Sequence, residues 1–325
     1  MRRTVRDPVS RIPLALATTA LVACSSGENA TTDTIAKAPD SAAAAPAMFA
    51  SAGATDSMKT PESVRYDADL DAYFISNING NPSQKDGNGF IARVDAGNTA
   101  AVTMLAEGGK KGVTLNAPKG IAIVGDTLWV ADIDAVRAFN KRTGAPIASI
   151  DLRPMKAEFL NDVVAGPDGS IYVTDSGIRF DANGGMTHPG QDQIFKITGR
   201  KAAVAIKSDS ALSAPNGIAW DGANSRFVLG PFNAKVVSAW KDGDTTVTQI
   251  GTGPGGHDGV EVLGDGRILV TSWADSAVHV ISNGTFRKVI GNVDGPADIG
   301  IDTKRNVVAV PRFSAGRVEY FTIAP

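Results

Sequence analysis

The chain has 325 residues, of which 43% are hydrophobic and 20% are charged, and its formal net charge is −2. This slightly acidic balance argues against a polyanionic partner such as nucleic acid. The chain contains one cysteine, Cys24, which excludes an internal disulfide and a zinc site built from cysteines.

The first 23 residues are organised like a lipoprotein signal peptide. Residues 1–11 carry four arginines and one aspartate, and an apolar run from Ile12 to Ala23 follows them. A run of this length is too short for a transmembrane helix, which needs about 20 residues, but it suits the core of a secretory signal. The run ends in Leu21-Val22-Ala23-Cys24, which resembles the bacterial lipobox.

This ending predicts acylation of Cys24 and a lipid anchor in the membrane of the bacterial cell envelope. Ser25 after the cysteine favours the periplasmic face of the outer membrane. The alternative is an ordinary cleavage site with a chance cysteine. Residues 24–59 are rich in Ala, Ser, Thr, Asp and Pro, so they predict a disordered tether. Residues 60–325 then form a single folded domain.

Six segments of this domain open in the same way, which indicates a repeat. Their second residues are separated by steps of 57, 42, 55, 42 and 39 residues, and short β-type runs divided by Gly, Asp, Asn and Pro fill each unit. A period of this size with several strands per unit is typical of a β-propeller. We therefore predict an all-β fold with six four-stranded blades. The sixth unit has only three strands, so a strand near residues 48–51 would close the ring.

The two long steps come from insertions after the second strand of blades one and three, at residues 77–89 and 178–192. Because the first two strands of a blade are antiparallel, both insertions overhang the face on which the repeats open. They predict a rim around a site, with neutral surface loops as the alternative.

The first strand of each blade lines the channel of a propeller, so the second residues of the repeats form a ring. This ring contains the following side chains: Glu62, Lys119, Asn161, Asn216, Asp258 and Ala297. Glu62, Asn216 and Asp258 offer oxygen ligands suited to a divalent cation, with Ca²⁺ favoured and Mg²⁺, Mn²⁺ or Zn²⁺ left open. The alternative is that Asn-Gly and Asp-Gly are turn dipeptides and that the glutamate is solvated.

The segments Pro215-Asn216-Gly217-Ile218-Ala219-Trp220 and Asp258-Gly259-Val260 resemble the gluconolactonase and regucalcin (senescence marker protein) family. The resemblance implies a six-bladed propeller in which Glu62, Asn216 and Asp258 hold one metal and Asn161 contacts the substrate. Two positions depart from the family. Val64 replaces a proline, and Phe159 replaces an arginine that would contact sugar hydroxyls, which argues against sugar lactones.

If the family chemistry holds, Asp258 accepts the proton of a metal-activated water. Lys119 would steady an oxyanion or a substrate carboxylate if it points inward, with solvent as the alternative direction. Arg312 is a further candidate for a substrate carboxylate. Among the histidines, His257 adjoins the metal side, whereas His188 is interpreted as a loop residue and His279 as a structural one.

The pattern Gly251-Thr252-Gly253-Pro254-Gly255-Gly256 matches a nucleotide-binding fingerprint but leads into a strand rather than a helix, so no nucleotide is expected. The preferred interpretation is a monomeric, metal-dependent hydrolase of lactones or esters. The main alternative is a non-enzymatic, NHL-like propeller that binds a protein, glycan or peptide. A third is an envelope sensor or scaffold with a structural metal.

Overall fold

The computed structural model describes residues 49–324, which fold almost entirely into strands. They form six four-stranded antiparallel sheets and one short hairpin, so the six-bladed propeller is confirmed. Within residues 49–324, no helix is long and apolar enough to cross a membrane. The predicted signal peptide, Cys24 and residues 24–48 of the tether lie outside the described residues.

In each of the first three blades the strands follow the chain from the channel outward. These strands are β2 (Pro61–Asp67), β3 (Ala72–Asn77), β4 (Phe90–Asp95) and β5 (Asn98–Glu107); β6 (Pro118–Val124), β7 (Thr127–Asp132), β8 (Ala135–Asn140) and β9 (Pro146–Asp151); and β10 (Leu160–Ala165), β11 (Ile171–Asp175), β14 (Gln193–Thr198) and β15 (Lys201–Lys207). A hairpin of β12 (Arg179–Phe180) and β13 (Met186–Thr187) interrupts blade three between β11 and β14. A short 3-10 helix, Arg153–Met155, lies between blades two and three.

The last three blades repeat this order. Their strands are β16 (Pro215–Asp221), β17 (Arg226–Pro231), β18 (Val236–Trp240) and β19 (Thr248–Thr252); β20 (His257–Val262), β21 (Ile268–Ser272), β22 (Ala277–Ser282) and β23 (Thr285–Ile290); and β24 (Gly300–Asp302), β25 (Val307–Arg312) and β26 (Arg317–Ile323) with β1 (Phe49–Thr55). One helical turn, α1 (Asp209–Leu212), precedes β16, and the Ser208 hydroxyl caps it.

Strand β1 closes the ring by pairing with β26. The register runs from Phe49 opposite Ile323 to Thr55 opposite Val318. The hydroxyls of Thr55 and Tyr320 lie 2.8 Å apart and add a buried hydrogen bond across the junction. The predicted closing strand is therefore confirmed. It runs over Phe49–Thr55, so the propeller begins within the range that the sequence assigned to the tether.

The core lies between the blades rather than inside any one of them. Strands β3, β11 and β21 are buried along their whole length because neighbouring blades cover both of their faces. Each begins with a run of three or four apolar residues, as expected for strands that are buried on both sides, and ends in two polar residues. The outermost strands β5 and β15 are mostly exposed. Each blade is thus stabilised mainly by contact with its two neighbours.

Neighbouring inner strands approach one another closely where a glycine follows the second residue of the strand, as it does in blades four and five. A Cβ atom on Gly217 would lie 2.1 Å from the carbonyl oxygen of Asp258, and one on Gly259 would lie 2.5 Å from the backbone nitrogen of Ile299. Asn216-Gly217 and Asp258-Gly259 lie inside β16 and β20, so these dipeptides are not turns. The glycines allow the inner strands to pack backbone against backbone around the channel.

This packing predicts that Gly217→Ala destabilises the propeller. The added methyl group has no space against the Asp258 carbonyl, and overpacking of this kind costs about 1–3 kcal/mol of unfolding free energy. Urea unfolding measures the loss. Gly264→Ala is the matched control, because its Cβ would meet nothing within 4 Å, and a change of at most about 0.5 kcal/mol is expected. Equal losses in the two variants would contradict the packing argument.

Candidate active site

Five of the six predicted ring residues line one cavity at the mouth of the channel. Each is the second residue of the first strand of its blade, and together they form the cavity floor: Glu62, Lys119, Asn161, Asn216 and Asp258. All five are at most 5% exposed. The cavity has a volume of about 330 Å³. The sixth ring residue, Ala297, is fully buried and does not line it.

Four oxygen atoms on this floor are buried and have no hydrogen-bond partner within residues 49–324. They are Glu62 Oε2, Asn161 Oδ1, Asn216 Oδ1 and Asp258 Oδ1. Buried polar atoms in folded proteins nearly always have a partner, so four unpaired acceptors around one cavity point to a missing ligand. Carboxylate and carboxamide oxygens are the donors that hard divalent cations prefer. The residues therefore fit a cation such as Ca²⁺.

The floor differs from metal sites that consist of carboxylates and histidines alone. Across residues 49–324, no group of three or more His, Cys, Asp or Glu side chains is arranged to hold a metal ion. Half of the unpaired oxygens at the floor belong to asparagines, so the site carries two carboxylates rather than three. Such a donor set is suited to a hard cation that keeps part of its water shell.

Neighbouring side chains fix the direction of these floor groups. The indole nitrogen of Trp273 donates to Asp258 Oδ2 at 2.8 Å, which leaves Oδ1 unpaired. The Ser176 hydroxyl donates to the Pro215 carbonyl and accepts from Asn161 Nδ2 at 3.1 Å. Because the serine proton is already used, the asparagine must present its amide there and turn its oxygen toward the cavity. Such orienting contacts are typical of ligand-binding groups.

The two floor carboxyl groups are strongly perturbed. Burial raises the pKa of Glu62 well above its usual value, and the negative charge of Asp258 adds to the effect. Burial, followed by the charge of Asp298, raises the pKa of Asp258 to about 8, against hydrogen bonds from Trp273 and Asn216 that lower it. The raised pKa values favour the protonated form of both carboxyls, and a bound cation would displace such protons.

Lys119 points into the cavity and not into solvent. Its Nζ donates to the carbonyls of Pro82 and Ala117, both at 3.2 Å, and lies 4.0 Å from the ring centre of Phe159. Burial lowers its pKa to about 8, while the charge of Glu62 opposes the shift. Two of its three N–H donors are engaged, so one remains for a substrate.

The two insertions meet over the mouth. Asn81 Nδ2 donates to the carbonyl of Asp181 at 2.7 Å, and the Phe180 amide donates to the Ser83 hydroxyl at 2.9 Å. Pro82 of the first insertion and Phe180 of the second both line the cavity. The insertions therefore form the rim that their position in the repeat predicts.

The remaining basic candidates lie away from the cavity. The guanidinium of Arg312 bonds to Glu319 Oε1 and the Asn292 carbonyl, each at 3.0 Å, and does not line the cavity. His257 is fully buried and stacks on Phe286. Burial lowers the pKa of His257 to about 4, so its ring is neutral. None of these groups contributes to the floor.

The loop histidine and the strand-end aspartates have structural partners. His188 pairs with Asp192 at 2.7 Å. Asp132 Oδ1 accepts hydrogen bonds from the amides of Asn116 and Ala117, in the loop that leads into β6. Asp175 in the same way accepts from the Phe159 amide before β10. These aspartates cap the entry loops of the inner strands.

The histidine in blade five also has a structural partner. His279 Nε2 lies 3.1 Å from both carboxylate oxygens of Asp275. The side chain is buried, and its ring centre lies 6.0 Å from that of Phe286. The residue does not line the cavity, which agrees with its interpretation as a structural histidine.

The apolar wall above the floor was not predicted from the sequence. In four blades, an apolar residue directly after the second strand lines the cavity: Ile78, Phe232, Trp273 and Phe313. These residues occupy one structural column, just as the floor residues do. Comparing the six repeats at the end of the second strand, and not only at the start of the first, would have found them.

Several solved structures share the fold at low sequence identity. A luciferin-regenerating enzyme matches with a TM-score of 0.63 and 14% identity, covering 83% of this chain and 95% of its own. A protein with a provisional assignment as a gluconolactonase matches with a TM-score of 0.61 and 14% identity, covering 84% and 93%. A streptogramin B lyase matches with a TM-score of 0.56 and 12% identity, covering 85% and 97%.

At the level of sequence, no curated protein matches the chain significantly. The model of the SMP-30/gluconolactonase/LRE-like region, in contrast, matches residues 61–301. This span begins at the first repeat and contains every floor residue. The chain therefore belongs to the SMP-30/gluconolactonase/LRE-like family.

Proposed function

We propose that the protein hydrolyses a lactone or carboxylic ester with the help of a divalent cation. The observation that carries the proposal is the set of four buried, unpaired oxygens on the cavity floor, next to an inward-pointing lysine. Membership of the SMP-30/gluconolactonase/LRE-like family supports lactonase-type chemistry.

Glu62, Asn216 and Asp258 would hold the cation, with Asn161 as a fourth oxygen on the same floor. An all-oxygen donor set favours Ca²⁺, and it also suits Mg²⁺ or Mn²⁺ better than Zn²⁺, which usually takes nitrogen or sulfur ligands. When bound, the cation would polarise the substrate carbonyl and lower the pKa of a coordinated water.

The chain's own residues supply the proton transfer and the electrostatic stabilisation. Trp273 fixes one oxygen of Asp258, so the other is aimed at the floor and accepts the proton of the attacking water. Lys119 donates its remaining N–H to the oxyanion that develops on the carbonyl oxygen. The joined insertions limit the access of bulk water, which strengthens both interactions.

The main alternative is a propeller that binds a macromolecule on the same face. A surface that recognises a protein or glycan presents its polar groups to the partner at the rim. Here the unpaired oxygens lie on the floor of a cavity of about 330 Å³, beneath two insertions that bond to each other. Polar groups at the bottom of a cavity of this size are better placed to bind a small molecule and an ion than a macromolecule.

Replacing Asp258 by Asn tests the assignment of the base. The variant keeps the size of the side chain but removes its charge, so we expect loss of bound metal and a decrease in kcat/KM of about a hundredfold or more. Elemental analysis and a lactonase assay measure the two effects. Asp265→Asn, in the exposed turn after β20, is the control and should retain both properties. Undiminished hydrolysis by the Asp258 variant would refute the scheme.

Metal affinity should depend on pH. The raised pKa of Asp258, at about 8, means that the carboxyl is protonated at neutral pH, whereas a bound cation requires the ionised form. The dissociation constant should therefore rise as the pH falls from 9 to 6, with a slope that approaches about tenfold per unit for each displaced proton once the pH is below the pKa of about 8. Calorimetry in two buffers of different ionisation heat counts the protons released. A dissociation constant that does not change over this range would contradict the proposed ligands.

We further propose that Cys24 is acylated and anchors the propeller in the bacterial cell envelope, on the periplasmic side. The lipobox-like sequence before the cysteine supports this. Cys24→Ala should abolish the incorporation of labelled palmitate in a bacterial host, while Ser26→Ala should leave it intact. If the Cys24 variant incorporates as much label as the protein with Cys24, the proposed lipid anchor is wrong.

A further inference from the structure

We propose that the substrate carries an apolar alkyl or aryl substituent beside its reacting lactone or ester group, and not a polyhydroxylated one. This inference rests on the hydrolase function proposed above and specifies its substrate class. It follows from the way in which the cavity separates polar from apolar side chains. The floor is polar, and the walls between the floor and the rim are apolar.

Aromatic side chains make two sets of ring contacts in the wall. In the first set, the ring centre of Trp273 lies 6.1 Å from that of Phe232 and 5.3 Å from that of Phe313, both in edge-to-face contact. In the second set, the ring centres of Phe159 and Phe180 lie 5.7 Å apart. These contacts hold the rings in place, so they offer a preformed surface to a flat or flexible hydrocarbon group.

The rim continues this apolar surface instead of ending it. Ile178 and Met186 of the second insertion also line the cavity, and Met186 is 45% exposed. A flexible thioether beside a cavity adapts well to apolar ligands of varied shape. An apolar substituent would cover it.

The polar groups that line the cavity lie on or next to its floor, where the proposed cation and the reacting carbonyl would engage the oxygens and the N–H that the protein leaves unpaired. The Trp273 indole donates to Asp258, and two donors of Lys119 are used by the Pro82 and Ala117 carbonyls. Hydroxyls of a sugar-like substituent would thus leave water without gaining partners between the aromatic walls. Each unpaired polar group lowers affinity by roughly five- to a hundredfold.

Three δ-lactones with the same six-membered ring test the proposal on the full-length, metal-loaded protein. They are δ-valerolactone, which has no substituent, δ-decalactone, which has a five-carbon tail, and glucono-δ-lactone, which is polyhydroxylated. Each buried methylene group contributes about fourfold, so kcat/KM for δ-decalactone should exceed that for δ-valerolactone at least about tenfold. Glucono-δ-lactone should be the poorest substrate after subtraction of its spontaneous hydrolysis.

A pair of variants at Phe180 shows whether the wall is responsible. Phe180→Asn places a polar group in the wall, while Phe180→Leu keeps it apolar. The side chain is half-buried and lies on an otherwise exposed hairpin rather than in the blade core, so both variants are expected to fold. The ratio of kcat/KM for δ-decalactone to that for δ-valerolactone should fall about fivefold or more in the Asn variant. It should stay within about twofold in the Leu variant.

The outcomes separate the substrate class from the hydrolase function. If glucono-δ-lactone is turned over as well as or better than δ-decalactone, or if Phe180→Asn lowers both alkyl-lactone rates equally, the substrate class is wrong although hydrolysis stands. If no lactone is turned over, the hydrolase proposal fails. Calorimetric titration with the same lactones then decides the class. Tighter binding of δ-decalactone supports it, and equal or tighter binding of glucono-δ-lactone overturns it.

Discussion

The close approach of neighbouring inner strands is the constraint on which the rest of the structure depends. Gly217 and Gly259 bring the backbones of adjacent blades into direct contact around the channel. Each of these glycines follows the second residue of its strand, and the second residues of the first strands of five blades lie at the same end of the channel. Side chains from Glu62 to Asp258, far apart in the chain, therefore meet at one floor, and the strand contacts that stabilise the fold also position the chemistry.

The same convergence gives the channel two electrostatic layers. One residue further along the inner strands, both carboxylate oxygens of Asp162 and of Asp298 are bonded, through Arg65 and through hydroxyl and backbone donors. At the floor above them, Glu62 and Asp258 each keep an unpaired oxygen. A buried charge is stable only when it is paired or coordinated. The deeper layer satisfies this condition from within the protein, and the floor requires a cation or protons.

Most of the fold and the floor could be predicted from the sequence because both repeat along the chain. The six openings predicted the blade number, and the missing strand of the last blade predicted closure by the strand that the structure places at Phe49–Thr55. The direction of Lys119 could not be predicted, since it depends on carbonyls of Pro82 and Ala117 that only the folded rim brings together. The contact between Asn81 and Asp181 joins two insertions with no shared sequence pattern, so periodicity carried no information about it.

The propeller thus presents two columns of residues with separate tasks. The column at the start of the first strands gives the polar floor, while the column after the second strands gives the apolar wall that contains Phe232 and Phe313. Trp273 belongs to the wall column yet donates to Asp258 of the floor, so it couples the two. Because Ile78, Phe232 and Phe313 make no hydrogen bond to the floor through their apolar side chains, their size and polarity can vary while the floor stays intact. Specificity can therefore change within this architecture independently of the reaction.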